Sequence, residues 1–143
     1  MIARELHIEK YDWHFTIYYA VTCYWAEKIA EKLERLGAAP NVLRSAYKNM
    51  SSCKLDKGLT YSNMNTRESV VVIGLTSNQE EFMDSFSHEL RHLVNHICDA
   101  SGIDLYGEES CYITGDLAKM LFPDVQKFLC KCSNPLKCNC HTT

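Results

Sequence analysis

The sequence predicts one α+β domain in which helices pack on a short and mainly antiparallel sheet. Three observations support this class: an alternating apolar segment near the N-terminus, a hairpin-like pair of short segments in the middle, and helical spacing of apolar residues in the second half. With 143 residues, 46% of them hydrophobic, the chain is large enough to bury one core. We assign residues 1–129 to this domain and residues 130–143 to a separate cysteine-rich C-terminal tail.

The first elements along the chain are a strand and two helices. In residues 6–21, aromatic and β-branched side chains alternate with others in a period of two, which predicts one long strand. In residues 25–36, apolar side chains recur at helical spacing among charged ones, and Gly37 follows, so an amphipathic helix is expected there. A shorter helix is predicted at residues 41–50.

A β-hairpin is the next predicted element. Residues 69–74 are the most strand-like run of the chain, and a turn at residues 63–66 separates them from a shorter strand candidate that begins at Leu59. We expect the two strands to pair through Tyr61 and Val71.

Two helices complete the predicted fold. The longest helical pattern covers residues 77–100, with Ser77 or Asn78 as the N-cap and Gly102 just beyond its end. A further helix is expected from about residue 107 to residue 122, ending before Pro123.

Charge and hydropathy exclude several classes of function. The net charge is −3, from 15 Lys plus Arg against 18 Asp plus Glu, and no basic block is present, so nucleic acid is not an expected partner. No apolar run is long enough for a membrane span, and acidic residues near the N-terminus do not fit a signal peptide. We therefore expect a soluble cytoplasmic protein without membrane partners, located in the host cytoplasm if the protein is viral.

The eight cysteines are unevenly distributed. In an unexported protein they are expected to be reduced thiols, small buried side chains or metal ligands, and we interpret Cys98 and Cys111 as packing residues. Four thiols crowd into the tail, where they are candidates for binding a second zinc ion. A disordered tail with reactive thiols, or disulfides formed on oxidation, are equally open alternatives. The four tail residues are Cys130, Cys132, Cys138 and Cys140.

The long helix contains an H-E-x-x-H motif, which chance would produce in roughly one sequence in fifty of this composition. At about 100° per residue, His88 and His92 lie almost opposite the apolar stripe of the helix. Two imidazoles one turn apart can bind a single zinc ion. Glu89 points to the flank of the pair, where its carboxylate can accept a proton from a metal-activated water.

A catalytic zinc ion usually has a third protein ligand. His96 continues the row of histidines, but it starts about 12 Å along the axis from His88, which is too far for one ion to bridge. We interpret His96 as a neighbouring, surface or substrate-contacting residue.

The next helix offers Glu108, with Glu109 as its rival. Glu108 shares a helix face with the small residues Cys111 and Gly115, where another helix could approach closely, so we favour Glu108 as the third ligand. Glu109 falls on the flank that faces the core. The simpler alternative is that both acids complement the positive end of a helix.

These motifs carry a resemblance to a known family. The strand at residues 69–74, the motif His88-Glu-Leu-Arg-His92 and the segment Gly107-Glu-Glu-Ser-Cys-Tyr112 resemble the gluzincin type of zincin metallopeptidases. More narrowly, the chain is similar to the short H-E-x-x-H proteins of phages and mobile elements. The resemblance covers residues 11–122 in the order of elements, although only the two helix motifs are specific.

The resemblance implies a small zincin-like domain and a zinc-dependent metallopeptidase that hydrolyses a peptide or protein substrate. His88, His92 and Glu108 would then bind zinc, and Glu89 would be the general base. The strand at residues 70–74 would be the edge strand that pairs with an extended peptide.

One further catalytic candidate and two alternative functions remain. The hydroxyl of Tyr112, or that of Tyr106, could stabilise an oxyanion, although a tyrosine beside two helices is more often a packing residue. The domain could also be a non-catalytic module that binds metal and acts in regulation. In a third hypothesis, the cysteine-rich tail is the functional part, as a redox or metal-handling element.

Overall fold

A computed structural model describes residues 1–53 and 58–129 of the chain. Four strands and four α-helices are formed within these ranges. In chain order they are β1 (Ile2–Ile8), β2 (Trp13–Val21), α1 (Ala26–Arg35), α2 (Pro40–Ser51), β3 (Gly58–Asn63), β4 (Glu68–Gly74), α3 (Gln79–Ser101) and α4 (Glu108–Val125).

The four strands form one mixed sheet in the order β1-β2-β4-β3. β1 pairs with β2 and β3 pairs with β4 in antiparallel fashion, whereas β2 and β4 are parallel. The connection from β2 to β4 therefore contains α1, α2 and β3. This arrangement confirms the predicted α+β class with a mainly antiparallel sheet.

The helices lie in pairs on the two faces of the sheet, so the domain has three layers. α1 and α2 cover one face, where their apolar side chains pack against β2 and β4. α3 and α4 cover the other face with a larger core. The largest fully buried side chains of that second core are Trp13, Ile17, Tyr19, Ile73, Phe82, Leu93, Ile97, Leu117 and Leu121.

The single long strand predicted at residues 6–21 is in fact two strands. A 3-10 turn at Glu9–Tyr11 separates β1 from β2, and Asp12 ends the turn in the left-handed region with φ of 46°. The prediction was wrong because β1 and β2 form adjacent strands of the same sheet, and each alternates in a period of two. The exposure changes at the turn, since the residues of β1 are exposed or half-buried whereas most residues of β2 are buried.

The predicted hairpin is present, but its register differs by one residue. Tyr61 lies opposite Val70, and Val71 lies opposite Thr60. Tyr61 and Val70 pack in the core beneath α1 and α2, while Val71 belongs to the opposite face. Pairing Tyr61 with Val71 would place them on different faces, because a shift of one residue reverses every side chain.

α3 begins and ends where its capping residues predict, whereas α4 is longer than predicted. The Asn78 side chain accepts a hydrogen bond from the backbone N–H of Glu81 at 2.8 Å, and Gly102 ends α3 with φ of 67°. α4 extends to Val125 and passes through Pro123 instead of ending before it. Leu121 and Val125 are both buried on the core face, and their packing continues the helix despite the missing backbone donor.

Two cysteines differ from the sequence prediction of unbridged thiols. Cys23 and Cys53 form a disulfide that joins the end of β2 to the end of α2. Cys98 is fully buried, as expected of a packing residue, whereas Cys111 is exposed. Disulfides form and persist mainly in oxidising compartments, and the cytoplasmic location stays a prediction.

The proposed zinc site of the tail lies outside the described residues, since residues 130–143 are not among them. Within the described ranges, none of the helices combines the length and apolar character that a membrane span needs.

Candidate functional site

The histidines of the H-E-x-x-H motif lie side by side on the exposed surface of α3. Their Nε2 atoms are 3.3 Å apart, and the His88 side chain is 46% exposed. Two zinc–nitrogen bonds of about 2.1 Å that meet near the tetrahedral angle span about 3.4 Å. The two imidazoles are therefore spaced as ligands of a single zinc ion.

Glu89 lies between α3 and β3 and is only 3% exposed. Thr60 of β3 donates a hydrogen bond to Glu89 Oε2 at 2.6 Å, which satisfies one oxygen of the buried carboxylate. The other oxygen, Oε1, lies 3.9 Å from His88 Nε2. The carboxylate therefore has one anchored oxygen and one that faces the histidine pair.

Gly58 makes this approach of β3 to α3 possible. A Cβ atom at this position would lie 2.9 Å from the Glu89 Cγ atom and 2.0 Å from the Val72 carbonyl oxygen. Any larger residue would push β3 away from both neighbours. Sequence analysis missed Thr60 and Gly58, since β3 approaches α3 only in the folded chain.

His96 connects α3 to the same strand instead of joining the histidine pair. Its Nδ1 atom lies 2.7 Å from Ser62 Oγ, which is 2.6 Å from Ser69 Oγ. Trp13 Nε1 donates to Ser69 Oγ at 2.8 Å, so the polar chain reaches the buried core. Burial lowers the pKa of His96 from its ordinary value of 6.5, and His92 lowers it further. A neutral His96 fits this hydrogen-bonded role.

Glu108 is exposed at the start of α4. Together with Cys111 and Gly115 it forms the small-residue face of α4, and all three residues are exposed. α4 packs on the core through its apolar face, which buries Ile113 and Leu117. The apolar face buries more surface against α3 and the sheet than the small-residue face could, so it determines which side of α4 turns inward.

The direction of α4 adds to the separation of Glu108 from the histidine pair. Phe128 follows α4 and stacks on Phe82 in the first turn of α3, so the two helices run antiparallel. About 13 Å of helix separates His92 from Ser101 at the other end of α3, close to which α4 begins. Across residues 1–53 and 58–129, no third His, Cys, Asp or Glu has a ligand atom within 4.8 Å of both motif histidines.

The other candidate side chains, Glu109, Tyr106 and Tyr112, lie in α4 or just before it. Glu109 accepts a hydrogen bond from the Tyr11 hydroxyl at 2.8 Å and lies 3.8 Å from Lys10 Nζ, so it faces the turn between β1 and β2. Tyr112 is 65% exposed and Tyr106 is 95% exposed, so neither is a packing residue.

The strand predicted as the sheet edge is an interior strand. Residues 70–74 belong to β4, which pairs with β2 on one side and β3 on the other. The edge beside α3 is β3, which supplies Thr60 next to Glu89. The sequence could not distinguish the two strands of the hairpin, because either could lie outermost.

A second group of ligand-type side chains lies at the opposite edge of the sheet. His7, Asp12 and His14 each offer a ligand atom, and these atoms lie within 4.8 Å of one another. A metal-binding group is therefore present in the fold, although it is not one that sequence analysis identified. The only signal was the presence of four ligand-type residues in the eight-residue stretch 7–14, and the assumed continuous strand concealed it.

Comparison with protein-family models, with curated proteins and with solved structures gives no match to this chain.

Proposed function

We propose that this protein is a zinc-dependent metallopeptidase in which His88 and His92 bind the ion and Glu89 is the general base. One observation carries the proposal: the two Nε2 atoms are 3.3 Å apart beside a buried carboxylate. If the H-E-x-x-H motif were present by chance, there would be no reason for the glutamate to be buried and anchored while both histidines are exposed.

The residues present fit zinc as a two-histidine site with positions open to solvent and substrate. Imidazole nitrogen is a preferred zinc ligand, and the spacing matches tetrahedral geometry. When bound, zinc supplies Lewis-acid polarisation of a carbonyl group and acidifies water. Glu108 has no part in this site unless the first turn of α4 turns toward α3.

Glu89 Oε1 is the atom that would accept and return the proton. Thr60 holds Oε2, so the carboxylate cannot rotate away from the histidine pair. In the proposed reaction Oε1 takes a proton from the water that attacks the peptide carbonyl, and then gives it to the departing amine. Burial of the carboxylate keeps competing water away from this atom.

The free edge of β3 is the surface that would bind the substrate backbone. Within the described residues β3 pairs on one side only, with β4, and its Thr60 side chain is in contact with Glu89. An extended peptide can add to such an edge through main-chain hydrogen bonds. A peptide in this position would pass beside the two histidines.

The substitution Glu89→Gln tests the mechanism. It keeps the hydrogen bond to Thr60 and nearly the same volume, but it removes the proton acceptor. We expect Glu89→Gln to retain the zinc content of the wild type while cleavage of a quenched-fluorescent peptide library falls by at least about a hundredfold. Glu80→Gln, at an exposed position in the first turn of α3, is the matched control and should cleave normally. Cleavage by Glu89→Gln at the wild-type rate would show that Glu89 is not the base.

A non-catalytic metal-binding module is the second candidate function. The outward position of Glu108 favours it, because a catalytic zinc ion usually has three protein ligands. In that case the wild type would cleave no library peptide, zinc would raise the unfolding temperature, and His92→Gln would remove this stabilisation.

A further inference from the structure

The turn between β1 and β2 brings three metal-ligating side chains together at the edge of the sheet farthest from β3. We propose that His7, Asp12 and His14 form a second binding site, for a divalent transition-metal ion such as zinc. The site shares no residue with the motif of α3 and does not depend on the function proposed above.

The pairing of β1 with β2 creates the group. His7 and His14 are register partners, so their side chains project from the same face of the sheet. Their rings stack with centroids 4.0 Å apart and planes 14° apart. All three side chains are exposed, and the His7 side chain retains 39% of its accessible surface.

Asp12 completes the group because of its backbone conformation. Its φ of 46° and ψ of 53° lie in the left-handed region, which Asp adopts more readily than most residues. This conformation reverses the chain and brings Asp12 Oδ1 to 2.9 Å from His7 Nε2. Without an ion, the carboxylate serves as a hydrogen-bond or ion-pair partner of the same nitrogen.

Ligation requires only a small rearrangement. In two stacked rings the nitrogen lone pairs point along parallel planes, so one imidazole must rotate about its Cβ–Cγ bond before both can reach one ion. The exposure of both rings allows this rotation. The remaining coordination positions would be open to water.

The donor set determines the kind of ion. Two imidazole nitrogens and one carboxylate oxygen suit zinc, nickel or copper better than magnesium or calcium, which prefer oxygen ligands. A further carboxylate adjoins the group, because Glu68 of β4 is the register partner of His14. Its charge adds to the attraction for a cation.

Zinc titration of the full-length, nitrogen-15-labelled protein, followed through the imidazole resonances, tests the site. NMR assigns binding to individual histidines, so the tail thiols and the motif of α3 do not confuse the result. We expect the ring nitrogens of His7 and His14 to shift together as zinc is added. Asp12→Asn should weaken the zinc affinity reported by these two rings by at least about tenfold, since loss of even an indirect partner of a metal ligand has that effect.

Two control variants separate this site from non-specific zinc binding and from the motif of α3. Glu9→Gln changes an exposed carboxylate in the same turn and should leave the affinity unchanged. The double variant His88→Gln, His92→Gln should also keep the shifts of His7 and His14, which distinguishes the site from the one proposed on α3. Ring resonances of His7 and His14 that stay in place at millimolar zinc, while other zinc ligands saturate, would overturn the proposal.

Discussion

Thr60 is the residue through which the sheet controls the candidate site. Its hydroxyl donates to Glu89 Oε2 at 2.6 Å, and this hydrogen bond anchors the buried carboxylate to β3. Replacing Thr60 by Val keeps the shape of the side chain and leaves a buried, charged oxygen without this donor. Thr60 lies outside the H-E-x-x-H motif, yet it is as important for the position of the Glu89 carboxylate as the motif residues are.

We expect Thr60→Val to lower the free energy of unfolding by about 2 kcal/mol and to reduce peptide cleavage, because Glu89 would no longer be held. Urea unfolding and the peptide assay measure the two effects. Thr66→Val, in the exposed turn between β3 and β4, is the matched control. Equal stability of the two variants would mean that the Thr60 hydroxyl contributes nothing to the anchoring of Glu89.

The two free cysteines of the described domain should differ in reactivity. Burial raises the pKa of the Cys98 thiol, and Asp99 raises it further, so less thiolate is present at pH 8. Cys111 is exposed on α4. We expect iodoacetamide to label Cys111 at least tenfold faster than Cys98 in the folded protein, as measured by mass spectrometry of peptides. Similar rates that persist under strongly folding conditions would contradict the burial of Cys98.

Among the site residues, sequence analysis correctly related those whose relative positions depend on one helix alone. The relation of His88, Glu89 and His92 follows from helical geometry, so it could be predicted from spacing. The position of Glu108 depends on which face of α4 packs inward, and the sequence offered both an apolar and a small-residue face. The Thr60 contact depends on how β3 lies against α3, which no spacing within either element reveals.

A buried carboxylate joins α4 to the sheet. The Asp124 carboxylate is 2% exposed, and it accepts hydrogen bonds from Arg4 of β1 at 2.7 Å and from the Tyr19 hydroxyl of β2 at 3.4 Å. Burial and the adjacent carboxylate raise the pKa of Tyr19, so the phenol stays protonated and continues to donate. This end of α4 is thus tied to both strands beneath it.

We expect Arg4→Met to lower the free energy of unfolding by about 2 kcal/mol, because the buried Asp124 carboxylate would lose its charged partner. Chemical denaturation at pH 7 measures the change. Arg44→Met, at an exposed position of α2, removes the same charge and should have little effect. If the two variants were equally stable, the contact between Arg4 and Asp124 would contribute only what an exposed ion pair does.

Elements with strong local signals were predicted well. The helix at residues 77–100 differs from α3 by two residues at its start and one at its end, because Asn78 and Gly102 act locally as caps. The strand boundary at residues 9–12 was missed although the alternation shifts there, from apolar residues at positions 6 and 8 to apolar residues at positions 11, 13 and 15. The strand order was not predictable either, since the pairing of β2 with β4 joins segments far apart in the chain.

For the whole molecule, the disulfide between Cys23 and Cys53 is the main covalent constraint in the described domain. It spans 30 positions, and closing a loop of that size stabilises a folded chain by about 3.7 kcal/mol in the chain-entropy account. We expect a reducing agent to lower the urea midpoint of the wild type. The double variant Cys23→Ala, Cys53→Ala lacks the bond, so its urea midpoint should be lowered both with and without the reductant. This control excludes an effect of the reductant on the tail thiols. A wild-type midpoint that does not change on reduction would show that the bond adds no stability.

The connection between the parallel strands β2 and β4 also determines how the chain can reach its fold. Residues 14 and 68 are paired across the sheet, so this contact closes the longest loop among the described strand pairs before it gains any stability. The disulfide lies within that loop and removes 30 positions from it, roughly half of its length. Halving a flexible loop lowers the entropic barrier to its closure by about 0.6 kcal/mol, or roughly threefold in rate. An oxidised chain should therefore find the central strand pair sooner than a reduced one, and oxidation before folding would shorten the time during which the edges of the unfinished sheet are open to aggregation.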